Sequence, residues 1–333
     1  MLATLNFPTS AKKKAQQARW ELDRLLRQKR VRERVTRMKF RIMGETSPDA
    51  GPVLAALWHG IVKPVLDFLG YINDQSTDNL PHITWCPTGV MSFLPIHAAG
   101  DYNQPRSRVF DYVISSYTPT LSVLITSGSV LFDRAPRILA IGQASTPGHK
   151  PLPGITEELA SLRAHTKDRT EYSQLVDSEA TSMAVLDAME QHDWVHLACH
   201  AHQNKDPTKS GFFLHDGTLD ISAINQRSFR NKGLAFLSAC QTATGDEMLP
   251  DEAIHLASAM LMAGYRSVVG TMWSVIDDDA PFVADGVYAQ LMKDRKIGNG
   301  EVGKALHYAV AGLREKVGEK EFTRWMPYIH IGS

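Results

Sequence analysis

Apolar positions recur along this chain with two different periods, and the change of period divides it. Residues 10–43 contain no Gly or Pro and favour helix formers, and Gly44 and Pro48 close the run. This predicts a long helix that packs a stripe of Trp20, Leu22, Leu25 and Leu26 on a neighbour. Leu54, Leu57, Trp58, Ile61, Val65 and Leu69 keep helical spacing, with Pro64 expected to kink or split that helix. In HITWCPTGVMSFLPIHAAG (His82 to Gly100) two short β-rich runs flank Pro87-Thr88-Gly89 and read as a hairpin. Val109 to Tyr117 reads as a strand and Thr118 to Ser127 as a short helix.

From about residue 136 the pattern becomes strand, helix, strand, helix. Strands are expected at Arg137 to Gly142, Trp194 to His200, Gly233 to Cys240 and Arg266 to Gly270. Helices are expected at Glu157 to Ala164, Thr181 to Met189 (with Ser178 or Thr181 as cap), Asp251 to Met262, Asp278 to Met292 and Glu301 to Lys316. Phe212 to Ile221 reads as a hairpin around Asp216-Gly217. Such alternation implies a mostly parallel sheet with helices on both faces. No internal repeat of fixed period is visible. The expected division is a basic helical arm at 1–44, an N-terminal α/β extension at 45–134 and an α/β core at 135–333.

Composition changes this picture little. The 333 residues are 43% hydrophobic and 22% charged with zero formal net charge, ordinary for a globular protein. Charge is unevenly placed, however. Residues 10–43 hold 13 basic and three acidic residues, a net of +10, so the remaining 23 basic and 33 acidic residues give −10. The arm is therefore either a solvated helix or a docking arm for an acidic regulatory partner. Little aromatic interleaving supports nucleic-acid stacking. Three cysteines, Cys86, Cys199 and Cys240, argue against a disulfide framework and for a reducing, intracellular, cytoplasmic setting. No signal peptide and no membrane span are expected.

Candidate chemistry gathers at two strand ends. In open parallel sheets, ligands bind outside the carboxyl ends of the strands. His200 closes WVHLACH and Cys240 closes GLAFLSAC, so adjacent strands would bring imidazole and thiol to one edge. A Cys–His pair is what a thiol nucleophile needs, because the thiolate is the reactive species. With period 2, His196, Ala198 and His200 share one face, while Cys199 points with Val195 and Leu197 to the other and reads as a core thiol. Cys86 also reads as structural. His202 competes with His200 for the role of base. Asp246, Glu247, Asp251 and Asp277 to Asp279 sit near the same edge, either as helix caps or as an acidic pocket for a basic substrate side chain. The His-rich run His196, His200, His202 lacks a remaining ligand set, so no metal is expected; no cofactor is expected either.

The blocks HLACHAHQNKDPTKSGFFLHDGTLDISAI and LAFLSACQTATGDEMLPDEAIHLASAMLMAGYRSVVGTMWSVIDDDAPFVA, with WCPTGVMSFLPIHAAG, resemble the CHAT family of caspase- and separase-like (clan CD type) cysteine peptidases, in detail its fungal versions. The resemblance runs from about residue 50 to the C-terminal WMPYIHIG. It implies a caspase-like three-layer α/β/α sandwich with His200 as base and Cys240 as nucleophile. Their separation of 40 residues resembles the roughly 50 of caspases. It further implies an oxyanion hole from the backbone N–H groups of Cys240 and Ala201, where the family usually has Gly after the base. Trp273 and Ser274 would wall the extended substrate, and His97 would be structural. The implied activity is limited proteolysis of a polypeptide substrate, in a setting such as cell-death or immune signalling. The alternatives are a non-catalytic CHAT-fold module that binds protein partners through the basic arm, and an amidase acting on small amides.

Overall fold

The computed structural model describes residues 9–36, 49–73, 79–126, 135–202, 209–227, 229, 232–241, 253–294 and 301–332. They form two compact units, Met1–Pro81 with Thr88–Ile114, and His82–Pro87 with Ser115–Ser333.

The first unit is helical. Helix α1 (Thr9–Thr36) buries Ala15, Ala18 and Leu22, an i, i+3, i+7 stripe. Trp20 is not part of that stripe: it is 63% exposed, because it stands about 200° around the helix from Leu22. The small alanines let the helix approach closely, and Arg19 places its guanidinium 3.8 Å over the Phe93 ring. Helices α2 (Gly51–Leu57) and α3 (Lys63–Leu69) run on through a π-helical turn at Trp58–Val62. Pro64 explains the turn. It has no N–H, and its ring would clash with a carbonyl one turn back, so the backbone widens and the Lys63 N–H reaches Trp58. Gly51–Leu69, 19 residues, has the length and mean hydropathy of a membrane span, but Leu54, Val62 and Leu66 are fully buried in the unit's own core.

The predicted hairpin at 82–100 is absent. Only β1 (His82–Trp85) is a strand; Gly89–Phe93 and Ile96–Ala98 are 3-10 turns, the latter carrying the half-buried His97. Pro95 has no N–H to give a ladder, and β1 finds its neighbour in β2 (Ile114–Tyr117) instead. The strand predicted from Val109 begins late, because Val109–Asp111 is a 3-10 turn. A short helix α4 (Leu121–Thr126) follows as expected.

The second unit holds the sheet. Its elements in order are β3 (Ile138–Gly142), α5 (Gly154–Thr166), β4 (Tyr172–Val176), α6 (Ser182–Gln191), β5 (Trp194–His202), β6 (Gly211–Leu214), β7 (Gly217–Asp220), α7 (Ile221–Asn225), β8 (Lys232–Gln241), α8 (Ala253–Met262), β9 (Tyr265–Thr271), α9 (Ala280–Asp294), α10 (Glu301–Val317), α11 (Phe322–Trp325) and β10 (Tyr328–Gly332). Strand order is β1-β2-β10-β9-β8-β5-β3-β4, with the β6–β7 hairpin set antiparallel on the end of β5. The run β4-β3-β5-β8-β9 is parallel and β10 is antiparallel to β9. Right-handed crossovers place α5 on one face and α6 and α8 on the other, giving three layers. Helices α9 and α10 complete the α5 layer.

Burial follows layer position. All residues of β3, and Trp194 to Ala201 of β5, are buried, so these strands read as continuous apolar runs. At about 1.5–3 kcal/mol per large apolar side chain removed from water, they anchor the sheet centre. Edge strand β4 is only half-buried and gives no such run, so the sequence pattern does not reveal it. Lys232 opens β8 with its ammonium buried, donating to the carbonyls of Met189, Glu190 and His192 at 2.8, 2.9 and 2.5 Å. A cation so placed complements the C-terminus of α6.

The other side of the sheet carries a buried polar column. Ser116 Oγ lies 2.6 Å from both His82 Nε2 and His330 Nδ1, and Ser267 Oγ lies 2.5 Å from His330 Nε2. Gly303 of α10 faces this column so closely that a Cβ would sit 2.7 Å from Ser116 Oγ. Burial, with the neighbouring His82, pushes His330 down to about 3, and burial with Arg314 and His82 pushes His307 down to about 4. Both imidazoles are neutral in the fold but protonate in the unfolded chain below about 6.5. Their contribution to stability is therefore complete above pH 6.5 and is lost as pH falls toward 3. Unfolding free energy, measured by denaturant titration between pH 7 and pH 4, should drop by about 1.4 kcal/mol per pH unit per histidine. A flat profile across that range would contradict this account.

Candidate active site

The strand register joins the two predicted reactive residues. In the parallel ladder between β5 and β8, the Cα of His200 pairs with that of Cys240, and Ala201 with Gln241. Neighbouring strands lie about 4.8 Å apart, so the two backbones meet at hydrogen-bonding distance. Cys240 is described through its backbone.

The topology supplies a crevice here. The chain leaves β3 toward β4 on one side, whereas β5 leads on to β8 and β9 on the other. Where connections diverge in this way, the strand ends stay open. The loop after β3, residues 143–153, bends back over the end of β5. Gln143 N–H donates to Ala198 C=O at 2.9 Å, and its side-chain amide donates to the carbonyls of Asp177 at 2.7 Å and Ala180 at 3.2 Å. The Asp177 carboxylate accepts from Ser145 N–H at 3.0 Å. Asp177 adopts φ of +46°, which Asp tolerates better than most residues.

This loop determines the state of His200. The imidazole is 2% exposed, and its Nε2 lies 2.8 Å from the Lys150 carbonyl oxygen. A carbonyl can only accept, so Nε2 carries the proton. Nδ1 is then left as the basic lone pair, and it is buried with no hydrogen-bond partner among the described residues. Buried polar atoms are seldom left unpaired without a reason.

His196, two residues earlier on the same face, meets a different fate. It is fully buried with Nε2 3.1 Å from Glu158 Oε1, though out of line for a hydrogen bond, and Phe236 stacks on it at 4.8 Å. Burial, with Glu158, raises the Tyr288 phenol well above its usual range, so its O–H remains to face His196 Nδ1 at 3.3 Å. His196 is thereby enclosed under the site. Cys199 is fully buried on the opposite face. Burial raises the half-buried Cys86 thiol above its ordinary range. His202 pairs with Gly211 on β6 and lays its ring 4.8 Å from Phe213, two residues beyond the register of Cys240.

The remaining predicted residues divide. Ala201 is a fully buried strand residue, paired with Phe212 on one side and Gln241 on the other. Its φ is not positive; among described non-glycine residues only Arg106, Asp168 and Asp177 have positive φ. Trp273 is 8% exposed, and its indole N–H has no partner among the described residues. Ser274 is half-buried beside it. Asp246, Glu247 and Asp251 lie outside the described residues. Asp277 accepts from the Gly154 N–H at 3.0 Å and so caps helix α5 from a distant loop. Asp279 is fully buried in a bidentate pair with Arg324, whose Nε–Oδ2 contact is 2.8 Å. Among the described residues no group of three or more His, Cys, Asp or Glu side chains could hold a metal ion. The sequence pattern did not single out the loop residues Gln143, His149 and Lys150. The only signal for them was a Pro- and Gly-rich segment at the carboxyl end of a buried strand.

Comparison with known proteins follows the same lines. A family model described as the CHAT domain matches residues 51–333. A search of the curated proteins returns no match. Among solved structures, the complex of the pro- and mature domains of RgpB from Porphyromonas gingivalis aligns with a TM-score of 0.53 at 12% identity, covering 83% of this chain and 69% of that one. The Arg-specific cysteine proteinase gingipain R (RGPB) aligns equally well, with 83% and 68% covered. Separase of Saccharomyces cerevisiae, in complex with securin, aligns with a TM-score of 0.50 at 12% identity, covering 81% of this chain and 16% of that one. At these identities the likeness is one of fold, a caspase-like protease fold.

The double engagement of the acids gives a direct test. Asp277→Ala should remove the cap of α5 and cost about 1 kcal/mol of stability, read as a lowered midpoint in thermal unfolding. The side-chain preference of any cleavage should be unchanged. A changed preference at full stability would return Asp277 to the substrate pocket.

Proposed function

This chain belongs to the CHAT-domain family, and on that premise we propose that it is a cysteine endopeptidase with Cys240 as nucleophile and His200 as base. The observation that carries the reading is the buried Nδ1 of His200, without a hydrogen-bond partner among the described residues and left as the lone pair by the Lys150 carbonyl at the other nitrogen, on a strand in register with Cys240. The thiol proton passes to Nδ1, and the thiolate attacks the scissile carbonyl carbon. The carbonyl electron pair moves to oxygen, where the backbone N–H groups of Cys240 and Ala201 receive it. Collapse breaks the C–N bond, and the leaving amine takes the proton from Nδ1. Water, deprotonated by His200, then hydrolyses the thioester and frees the thiolate. Trp273 and Ser274 wall the extended substrate, with the indole N–H, which has no partner among the described residues, as a donor to it. The substrate is a polypeptide cut at few sites, and the setting is signalling by limited proteolysis.

A non-catalytic reading draws on a separate observation. The outward face of α1 presents Trp20, 63% exposed, with the Arg24 guanidinium 5.4 Å over its ring, amid a strongly basic arm. Aromatic and Arg side chains are the usual anchors of protein interfaces. On this reading an acidic synthetic peptide should bind with a strong salt dependence and shift the tryptophan fluorescence, and Trp20→Ala should abolish binding. An unchanged affinity in that variant would remove the arm from consideration.

The primary test uses a proteome-derived peptide library with new termini identified by mass spectrometry. Parent protein should cleave, Cys240→Ala should not, and His200→Ala should lose about 10²–10⁴-fold in rate. Retention of full activity in Cys240→Ala would refute the assignment.

A further inference from the structure

The ring that covers His200 is itself a histidine. His149 lies in the loop after β3, immediately before Lys150, whose carbonyl accepts from His200 Nε2. Its ring stacks on His200 at 5.1 Å and 30°, and on Phe213 of β6 at 4.1 Å and 41°. Phe213 in turn meets His202 at 4.8 Å. Four rings thus form a column, His200–His149–Phe213–His202, spanning the loop, β5 and β6. The hairpin end of the column is fixed, because Phe212 pairs with Ala201 and β6 pairs along its length with β7.

We infer that His149 is a positioning residue that clamps the Lys150 carbonyl onto His200. This deepens the reading of His200 as base and rests on it.

The clamp follows from chain geometry. Between the ring and the carbonyl stands a single residue step, and the loop is turned back on itself by His149 N–H to Thr146 C=O at 3.1 Å and Leu152 N–H to Ala144 C=O at 3.0 Å. Gly148 takes φ of +78°, a conformation that lets the chain reverse just before His149. Fixing the His149 ring between His200 and Phe213 therefore fixes the oxygen that sets the His200 tautomer. Phenylalanine would fill the same space, so packing alone does not require histidine here.

The titratable groups facing the His149 ring are His200 and His202 of β5; β6 presents Phe213, β8 brings the Cys240 backbone beside His200, and Lys150 of the loop itself is exposed. Burial, followed by the two neighbouring imidazoles, holds His149 below its ordinary value of 6.5. At neutral pH the clamp is an uncharged ring over the imidazole that takes up the thiol proton, a favourable face for a cation.

The test reads His200 directly by imidazole NMR in a Cys240→Ala background, which removes the thiol and needs no turnover. Replacing His149 with Phe keeps a ring between His200 and Phe213. The downfield Nε2 proton of His200 should persist in this variant. His149→Ala should lose that proton to exchange with water. Loss of that proton in His149→Phe as well, or a protected Nε2 proton in His149→Ala, would overturn the clamp. Failure of the peptidase reading itself would appear separately, as absence of Cys240-dependent cleavage by the parent protein.

Discussion

The candidate site depends on one hydrogen bond, from His200 Nε2–H to the Lys150 carbonyl. A carbonyl is an acceptor only, so the bond fixes the tautomer, and the tautomer fixes which nitrogen is basic. It also orients the ring without adding a charge. A carboxylate in that place would stabilise the imidazolium and make the base hold its proton more tightly. The neutral dipole there supplies no such charge. The loop that provides the carbonyl follows β3, and it can reach His200 only because β3 and β5 are neighbours whose connections depart in opposite directions.

His196 shows what the same residue type becomes a short distance away. It shares a strand face with His200, yet it lies beneath helix α5, where Glu158, Tyr288 and Phe236 enclose it. Position along one strand separates a packed histidine from a poised one. A third buried histidine, His330, is flanked by Ser116 and Ser267. Its polar partners lie on β2 and β9, the two strands that border β10, so a slip of β10 by one residue would break both of its hydrogen bonds. Such a network specifies register more than it adds stability.

Much of this was legible in the residues. The central strands are continuous apolar runs, and the helices of the second unit keep their expected places because Thr181 caps α6 and α10 buries Val302, Leu306, Ala309 and Leu313 at helical spacing. The pairing of His200 with Cys240 was legible too, since two strands of an alternating α/β pattern ended in reactive side chains. What escaped was less regular. β4 is half-buried and lacks a periodic signal, and β10 carries a buried His where a strand pattern calls for an apolar residue. The expected stripe with Trp20 failed because two small alanines, Ala15 and Ala18, form the packing face. The loop over His200 was invisible because its contribution is a backbone carbonyl, which every residue type has.

Ala201 bears on whether the family's chemistry is retained here. The usual Gly after the base raises the suspicion that a methyl group has cost the site its oxyanion donor. That suspicion needs a left-handed backbone, where a Cβ is strained. Ala201 has no positive φ and continues β5 between Phe212 and Gln241. In extended backbone the methyl carries no conformational penalty, and it is fully buried, where it adds apolar contact. The departure from Gly is therefore neutral for the backbone, and it does not favour the non-catalytic reading over the catalytic one. What distinguishes the two is whether His200 Nδ1, unpartnered among the described residues, is a strain left by a lost activity or the base of a present one. A protein with no use for that nitrogen would be relieved of a buried unsatisfied atom by almost any apolar replacement. The imidazole instead stands with a dedicated carbonyl and a stacked ring holding it, an arrangement compatible with a base at this position.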